Sequence, residues 1–364
     1  MYKKKEINRI IVLRFRRVGD AVISSVLCSS LKKTFPKAGI DYVLNEDIAP
    51  LFKNHPGIDK IICFSKEEMS TFPAYIAKVK RIMKEGKYDM IVDTRSTVKT
   101  LWFSFFSMKT PFRIGKKKAY NPVFHNYRTP VEGVTDEVTK TLTLLKPLEK
   151  LFDIQYERNF KLYVTDKEKE YFRIRMTEGD IDFSRPVIIC AVSARLKHKI
   201  WNPDKMKSVF WKIIEKYNAQ LIFNYGGKDE KNFALLLHRE MDNHRNIFTN
   251  IEANNLRELA AMFTLADFFV GNEGGPRHIA QSFNVPGFAI YPPGISKAAW
   301  LPNASERFQG IEPADISHQA NNPGLSFSEK FDFITVEAVW ERLDPMLEKF
   351  LVAGNRKKSL EGNL

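Results

Sequence analysis

Short runs of consecutive apolar, β-branched residues alternate along the chain with amphipathic stretches of helical length, and glycine or proline marks the joints. Residues 9–13 (RIIVL) read as a buried strand, 14–19 as a loop and 20–35 as a helix. The strand signal returns at 40–44 (IDYVL), 59–64 (DKIICF) and 89–92 (DMIV), with helical stretches between them, notably 74–85. A charged segment, 165–175, reads as part of a linker region, after which the pattern restarts. Strands are predicted at 186–192 (PVIICAV), 219–225 (AQLIFNY), 267–270 (DFFV) and 287–291. Helices are predicted at 203–217, 230–241, 256–264, 274–283 and 335–350, the last followed by a polar tail. Strands and helices alternating at these lengths predict an α/β protein with two doubly wound parallel sheets. The corresponding division is 1–165 and 166–345, with 346–364 holding the end of the last helix and the tail. Two such domains joined end to end are expected to face each other across a central cleft at the carboxyl ends of their strands, where ligands of this architecture bind.

The length of 364 residues supports this division, at about 150 residues per domain. Three unclustered cysteines, Cys28, Cys63 and Cys190, form neither a CxxC zinc site nor a disulfide framework, which points to a reducing, cytoplasmic compartment. No run approaches about 18 consecutive apolar residues, and the basic start lacks a small-residue cleavage site. Charge changes the picture more. Residues 1–150 carry 29 Lys and Arg against 15 Asp and Glu, whereas from 151 onward there are 28 of each. The excess serves either as solubilising charge or as a surface that meets a polyanion. Aromatic RNA-binding strand motifs and zinc-finger spacings are absent, so a nucleic-acid partner is not expected. An anionic membrane surface or a phosphorylated acceptor remains.

Four post-strand turns could carry chemistry. Arg14, Arg16 and Arg17 follow the first strand and precede Gly19-Asp20, so guanidinium groups and helix amides converge on a site suited to an anion. Asp20 reads either as a helix N-cap or as a general base. In 272–278, Gly274 and Gly275 allow close approach of a phosphate to the backbone. His278, taken alone, reads as a structural histidine. Gly226-Gly227 with Glu230 suits either a ribose hydroxyl pair or a helix cap, and the cations of 195–199 read by default as a solvated run. No G-x-G-x-x-G follows the first strand, which disfavours a dehydrogenase.

The combination and order of these pieces resembles glycosyltransferase family 9, the ADP-heptose:lipopolysaccharide heptosyltransferases. The resemblance runs from Ile10 to about Pro293. It is carried by Gly19-Asp20, the basic loop before Trp201-x-Pro203, Gly226-Gly227-x-x-Glu230, Leu256-x-Glu258-Leu259-Ala260, Ala266-Asp267 and Gly271-Asn272-x-x-Gly275-Pro276-x-His278. It implies a GT-B fold and an inverting transfer of heptose, or a related sugar, from an ADP-linked donor to a lipopolysaccharide core or Kdo-type acceptor. Asp20 is then the catalytic base. Lys199, Ser193, Gly226, Gly227, Glu230, Glu273, Gly274, Gly275 and His278 are expected at the donor, and Arg14, Arg16, Arg17, Arg95 and Lys99 at the acceptor. No metal or other cofactor is expected, because helix termini and cations neutralise the leaving diphosphate. A monomer working peripherally at the cytoplasmic face of the inner membrane fits the charge split. Two departures stand out. Glu273-Gly274-Gly275 replaces the family's Asp-Thr-Gly or Asp-Ser-Gly, and Arg16-Arg17 replaces paired serines, bringing two cations beside Asp20. Another nucleotide sugar or surface glycan, or a non-catalytic binding relative, are the alternatives.

Overall fold

The computed structural model describes residues 6–134 and 136–352, so the predicted polar tail lies, from 353 onward, outside the described residues. The chain divides between Tyr163 and Val164 into two compact units. The first is built on six parallel strands, β1 (Arg9–Leu13), β2 (Gly39–Asn45), β3 (Lys60–Phe64), β4 (Met90–Asp93), β5 (Phe112–Lys116) and β6 (Tyr127–Thr129), in the order β3-β2-β1-β4-β5-β6. The second holds β7 (Val187–Ala191), β8 (Gln220–Asn224), β9 (Ile247–Phe248), β10 (Phe268–Asn272), β11 (Gly287–Ile290) and β12 (Phe308–Ile311), in the order β12-β11-β10-β7-β8-β9. The orders correspond strand for strand, β1 with β7 and β4 with β10. Each chain path therefore reverses between a first and a fourth strand, and crevices for ligands open at the carboxyl ends of that pair.

The central strands are apolar along their whole length because helices cover both faces of the sheet, which leaves no polar-out alternation. Ile10 pairs in register with Met90, and Ile188 with Phe268. A carboxylate closes the opposite end of each pair. Asp89 Oδ2 accepts the N–H groups of Asn8 (2.9 Å) and Arg9 (3.1 Å), and Asp267 Oδ2 accepts that of Val187 (2.9 Å). In the first unit Phe15 stacks edge-on against Phe64, centroids 5.1 Å apart, within a cluster that includes Tyr75 and Phe103. The second unit's core gathers Trp201, Phe210 and Phe223 under the closing helix Val336–Leu347, which runs past Pro345 into a π-helical turn at Glu348–Val352.

The structure departs from the sequence pattern in two respects. Strands β5, β6, β9 and β12 carry no clear period in the sequence. The 165–175 segment is not a linker: it belongs to the helix Asp166–Glu178. Thr165 and Glu168 form a reciprocal capping box, Phe172 and Met176 are buried, and ion pairs from Glu168 to Arg257 (2.6 Å) and from Arg175 to Glu258 (2.7 Å) tie the helix to Leu256–Phe263. Arg257 holds the Glu168 carboxyl down at about 2. The Leu-x-Glu-Leu-Ala motif at 256–260 is thus scaffold.

Candidate functional site

In the first unit, the sheet's hydrogen bonding runs one residue past β1, Arg14 N–H donating to Val43 O (3.0 Å), which fixes where the Arg14 side chain leaves the sheet. Its guanidinium is largely buried, pairs with Asp20 Oδ1, and reaches Thr94 Oγ1 (3.5 Å) after β4. Asp20 Oδ2 has no hydrogen-bond partner among the described residues. The helix Val18–Thr34 is N-capped by Arg17, so Asp20 stands at its third position and is not the cap. Arg16 and Arg17 both adopt left-handed backbone, φ 62° and 59°, a conformation that costs an L residue roughly 1–2 kcal/mol. The Arg16 N–H donates to Asn45 Oδ1 (2.6 Å), and both side chains are exposed. The cation paired with Asp20 is therefore Arg14 rather than Arg16 or Arg17.

Arg95 donates to Phe15 O (3.1 Å), and burial together with the adjacent Arg14 and Arg16 pulls its pKa below the ordinary value. Partial burial, then Arg16, does the same to Lys99, whose ammonium stands 4.7 Å from the Tyr75 ring centroid. Lys99 and Arg16 line a groove of about 520 Å³ with Asn45, Lys66 and Met69, in which Glu46, Asp47 and Glu67 balance the three cations. Arg14 and Arg95 thus stand beside Asp20, with Arg16 next to Arg95 and Lys99 next to Arg16, whereas the Arg17 side chain takes no partner among the described residues. Guanidinium groups gathered in this way beside one carboxylate suit an anion.

Three residues outside the predicted set lie behind Arg14 and Arg95. Asp93 Oδ1 accepts the N–H groups of Arg95 (3.0 Å) and Ser96 (2.8 Å), fixing the turn that presents Arg95. Its Oδ2 lies 3.5 Å from His125 Nε2, both side chains being fully buried. Asn121 Nδ2 lies 3.2 Å from His125 Nδ1, which assigns the ring proton to Nε2, facing Asp93. Burial holds the His125 pKa down, against the Asp93 charge, so the ring is neutral. Lys116 closes β5, its pKa lowered by burial and then by Arg14. It directly follows Gly115 in the strand and carries no signal of its own in the sequence, and Asp93 and His125 carry no spacing signal between them.

The second unit builds its post-strand turns mostly from backbone. Ser193 Oγ donates to Glu230 Oε2 (2.7 Å), and Gly226 N–H donates to the same oxygen (3.0 Å). Gly227, at φ 98°, caps the helix Lys228–Glu240. Asn272 clamps the switch point: its amide donates to Ala191 O and Val192 O (3.0 Å each), and its Oδ1 accepts the Trp201 N–H (2.8 Å). Gly271, at φ 136°, leaves no room for a side chain, since a Cβ there would come within 2.4 Å of Ala191 O. Gly271-Asn272 is therefore structural. The clamp also sets the short turn Lys197–Lys199 ahead of Trp201, and the half-buried Lys199 ammonium has no ion-pair partner among the described residues.

Beyond Asn272, Glu273 donates its N–H to Ile290 O (2.9 Å) and Gly274 precedes the helix Gly275–Ser282, which has no side-chain cap. Uncapped first-turn amides and the helix dipole favour a negative group. Gly274 has an extended backbone, φ 169°, and a Cβ there would meet nothing nearer than Pro276 Cδ at 3.7 Å. Neither conformation nor packing demands glycine at that position. His278 is buried beneath the turn, its ring nitrogens 2.7 and 3.0 Å from Arg277 Nη2 and 3.9 Å from Glu273 Oε1. Burial, then Arg277, pushes its pKa well down. Arg277, unassigned from sequence, is itself buried with Nε unpartnered.

The chain matches the model of glycosyltransferase family 9 (heptosyltransferase) over residues 76–307. Lipopolysaccharide heptosyltransferase 1 of Campylobacter coli is 24% identical over 295 residues, covering 78% of this chain and 83% of that one. Among solved structures, a glycosyl transferase of family 9 from Veillonella parvula aligns with a TM-score of 0.80 at 17% identity, over 94% of this chain and 98% of the other. The E. coli ADP-heptose lps heptosyltransferase II aligns at 0.72 and 18%, over 94% and 99%. These likenesses show the fold, and the family match extends over well over half of the residues. The chain belongs to glycosyltransferase family 9 and is a glycosyltransferase.

Proposed function

We propose that the protein moves a heptose, or a related sugar, from an ADP-linked donor to a hydroxyl of a lipopolysaccharide core acceptor, with inversion, at the cytoplasmic face of the inner membrane. The observation that carries the reading is the Asp20 carboxylate, with Oδ1 held by Arg14, Oδ2 without a hydrogen-bond partner among the described residues, and Arg95, with Arg16 next to it, beside the pair. Arg14 fixes Asp20 through Oδ1, and Oδ2 takes the acceptor proton as the hydroxyl oxygen attacks the anomeric carbon. The bond from that carbon to the diphosphate breaks, and its electron pair leaves with ADP. The uncapped turn at Gly274-Gly275 and the Lys199 ammonium offset the charge that grows on the leaving phosphate. The surrounding cations receive the anionic, Kdo-bearing or phosphorylated part of the acceptor.

Melting curves of the protein with ADP, ADP-heptose, UDP, GDP and CMP test the donor. A ligand bound only by the folded state adds about 2.7 kcal/mol at about 100 times its Kd. A shift with the adenine ligands alone is expected. A shift with UDP or GDP instead overturns the heptose assignment and favours a second reading, the same chemistry on another nucleotide sugar. The loss of the hydroxyl at Gly274 and the longer Glu273 carboxylate favour that reading.

A further inference from the structure

The helix Val98–Phe105 buries Leu101 and Phe103 but turns Val98, Phe105 and the following Met108 to solvent. Phe72, 61% exposed at the start of the helix Phe72–Gly86, packs edge-on against Trp102 at 5.6 Å. Trp102 meets Phe105 (5.1 Å) and Phe106 (5.9 Å), and its other side rests on the Phe64, Tyr75 and Phe103 core. The result is a rigid aromatic face open to solvent, of the kind that marks an interaction site. Its rim is basic. Lys99 and Lys109 are exposed on either side of it, and Lys80 falls on the Phe72–Ile76 stripe of its own helix.

We propose that this face docks onto an anionic lipid bilayer. Aromatic rings backed by lysine ammonium groups suit the boundary between headgroups and acyl chains, and the charge excess of the first half of the sequence suits anionic headgroups. The same excess opposes a second copy of the chain on this face, since two cationic surfaces would then meet. The face is also continuous with the Arg16–Lys99 groove. Met69 and Ser70, on the groove wall, lead directly to Phe72, and Lys99 shares a helix with Phe105. An acceptor anchored in the bilayer could therefore present its sugar at the groove without leaving the membrane. No helix among the described residues is long and apolar enough to cross a membrane. This inference rests on the reading of the acceptor as lipid-linked.

The test is co-sedimentation of the full chain with phosphatidylglycerol/phosphatidylethanolamine vesicles and with phosphatidylcholine vesicles, in the absence of sugars. Binding to the anionic vesicles alone is expected, weakening as salt is raised. The double variant Phe72→Ser/Phe105→Ser should lose about tenfold or more in partitioning while keeping a cooperative melting transition, lowered only slightly, because both side chains are about half exposed or more and pack only on the surface face of Trp102. Equal binding by the variant, or indifference of the unmodified chain to anionic vesicles, overturns the proposal. So does a dimer that the variant converts to monomer, which would assign the face to a second copy. Transfer to a detergent-dispersed acceptor, measured alongside, separates the two readings. Transfer lost with vesicle binding intact removes the acceptor assignment and supports the surface, and the converse result does the opposite.

Discussion

The two units share a strand order and a carboxylate at the start of the paired first and fourth strands, yet they build the other end of that pair from different material. In the first, the turns after β1 and β4 rely on side chains: Arg14 pinned to Asp20, the Arg95 backbone held by the Asp93 carboxylate, and two arginines in a backbone conformation that glycine adopts more readily. In the second, the turn after β10 is made of amides and absent side chains, Gly274 and Gly275 ahead of an uncapped helix. One frame thus offers two ways in which an anion could be received. Side chains grip a particular shape of charge and can exchange a proton, whereas amides accept a phosphate at close approach and exchange nothing.

The largest effect that would test this contrast is catalytic. Asp20→Ala should reduce turnover by about 10²- to 10⁴-fold while the affinity for donor nucleotide, measured by calorimetry, stays within twofold of the original, about the precision of such measurements. Near-normal turnover would remove Asp20 as the base and leave the first unit as a binding surface only.

Next in size is the distinction between glycines. Gly271→Ala places a Cβ against the Ala191 backbone at positive φ and should destabilise the second unit by about 3 kcal/mol or more in urea unfolding. Gly274→Ala, in extended backbone with open space, should change stability by less than about 1 kcal/mol but weaken donor-nucleotide binding about tenfold. Equal effects of the two substitutions on stability would erase the distinction between a glycine the fold needs and one the ligand needs.

A smaller effect concerns acid. Burial lowers the His55 pKa to about 4 in the folded first unit, so the unfolded chain binds more protons between that value and 6.5. The contribution is complete above 6.5 and is lost as pH falls, amounting to about 2 kcal/mol at pH 5. Urea unfolding at pH 7.5 and pH 5 should show the loss, and His55→Gln should reduce it. An unchanged difference in the variant would move the acid sensitivity to His125 or His278.

The long, wholly buried elements were legible in the sequence because burial on both faces writes a continuous apolar run, as in β1, β4, β7 and β10. β5 was not, because Arg113 interrupts it: that guanidinium is buried by donating to the carbonyls of Met108, Thr110 and Phe124, an arrangement no periodicity reports. β9, two residues long, carries no period at all. The helix at Asp166–Glu178 was hidden by its polarity, since two apolar side chains and a capping box suffice once ion pairs hold it down. At the site, Asp20 and the glycine turns were visible as a combination in order. The choice of Arg14 over Arg16 and Arg17 as the partner of Asp20 was not, because it follows from the positive φ angles that leave those two side chains exposed, and the Asp93–His125 support was not, because it joins residues of separate segments whose separation in sequence has no rule.

The paired left-handed arginines carry a consequence of their own. A loop held in a costly conformation is a reserve of stability that the folded protein forgoes, and Arg17→Gly should release part of it by raising the melting temperature. Thermal robustness and a preset loop are then opposing quantities at one position. A more heat-resistant form of this enzyme obtained by relaxing that turn would be expected to hold its anionic ligand less firmly.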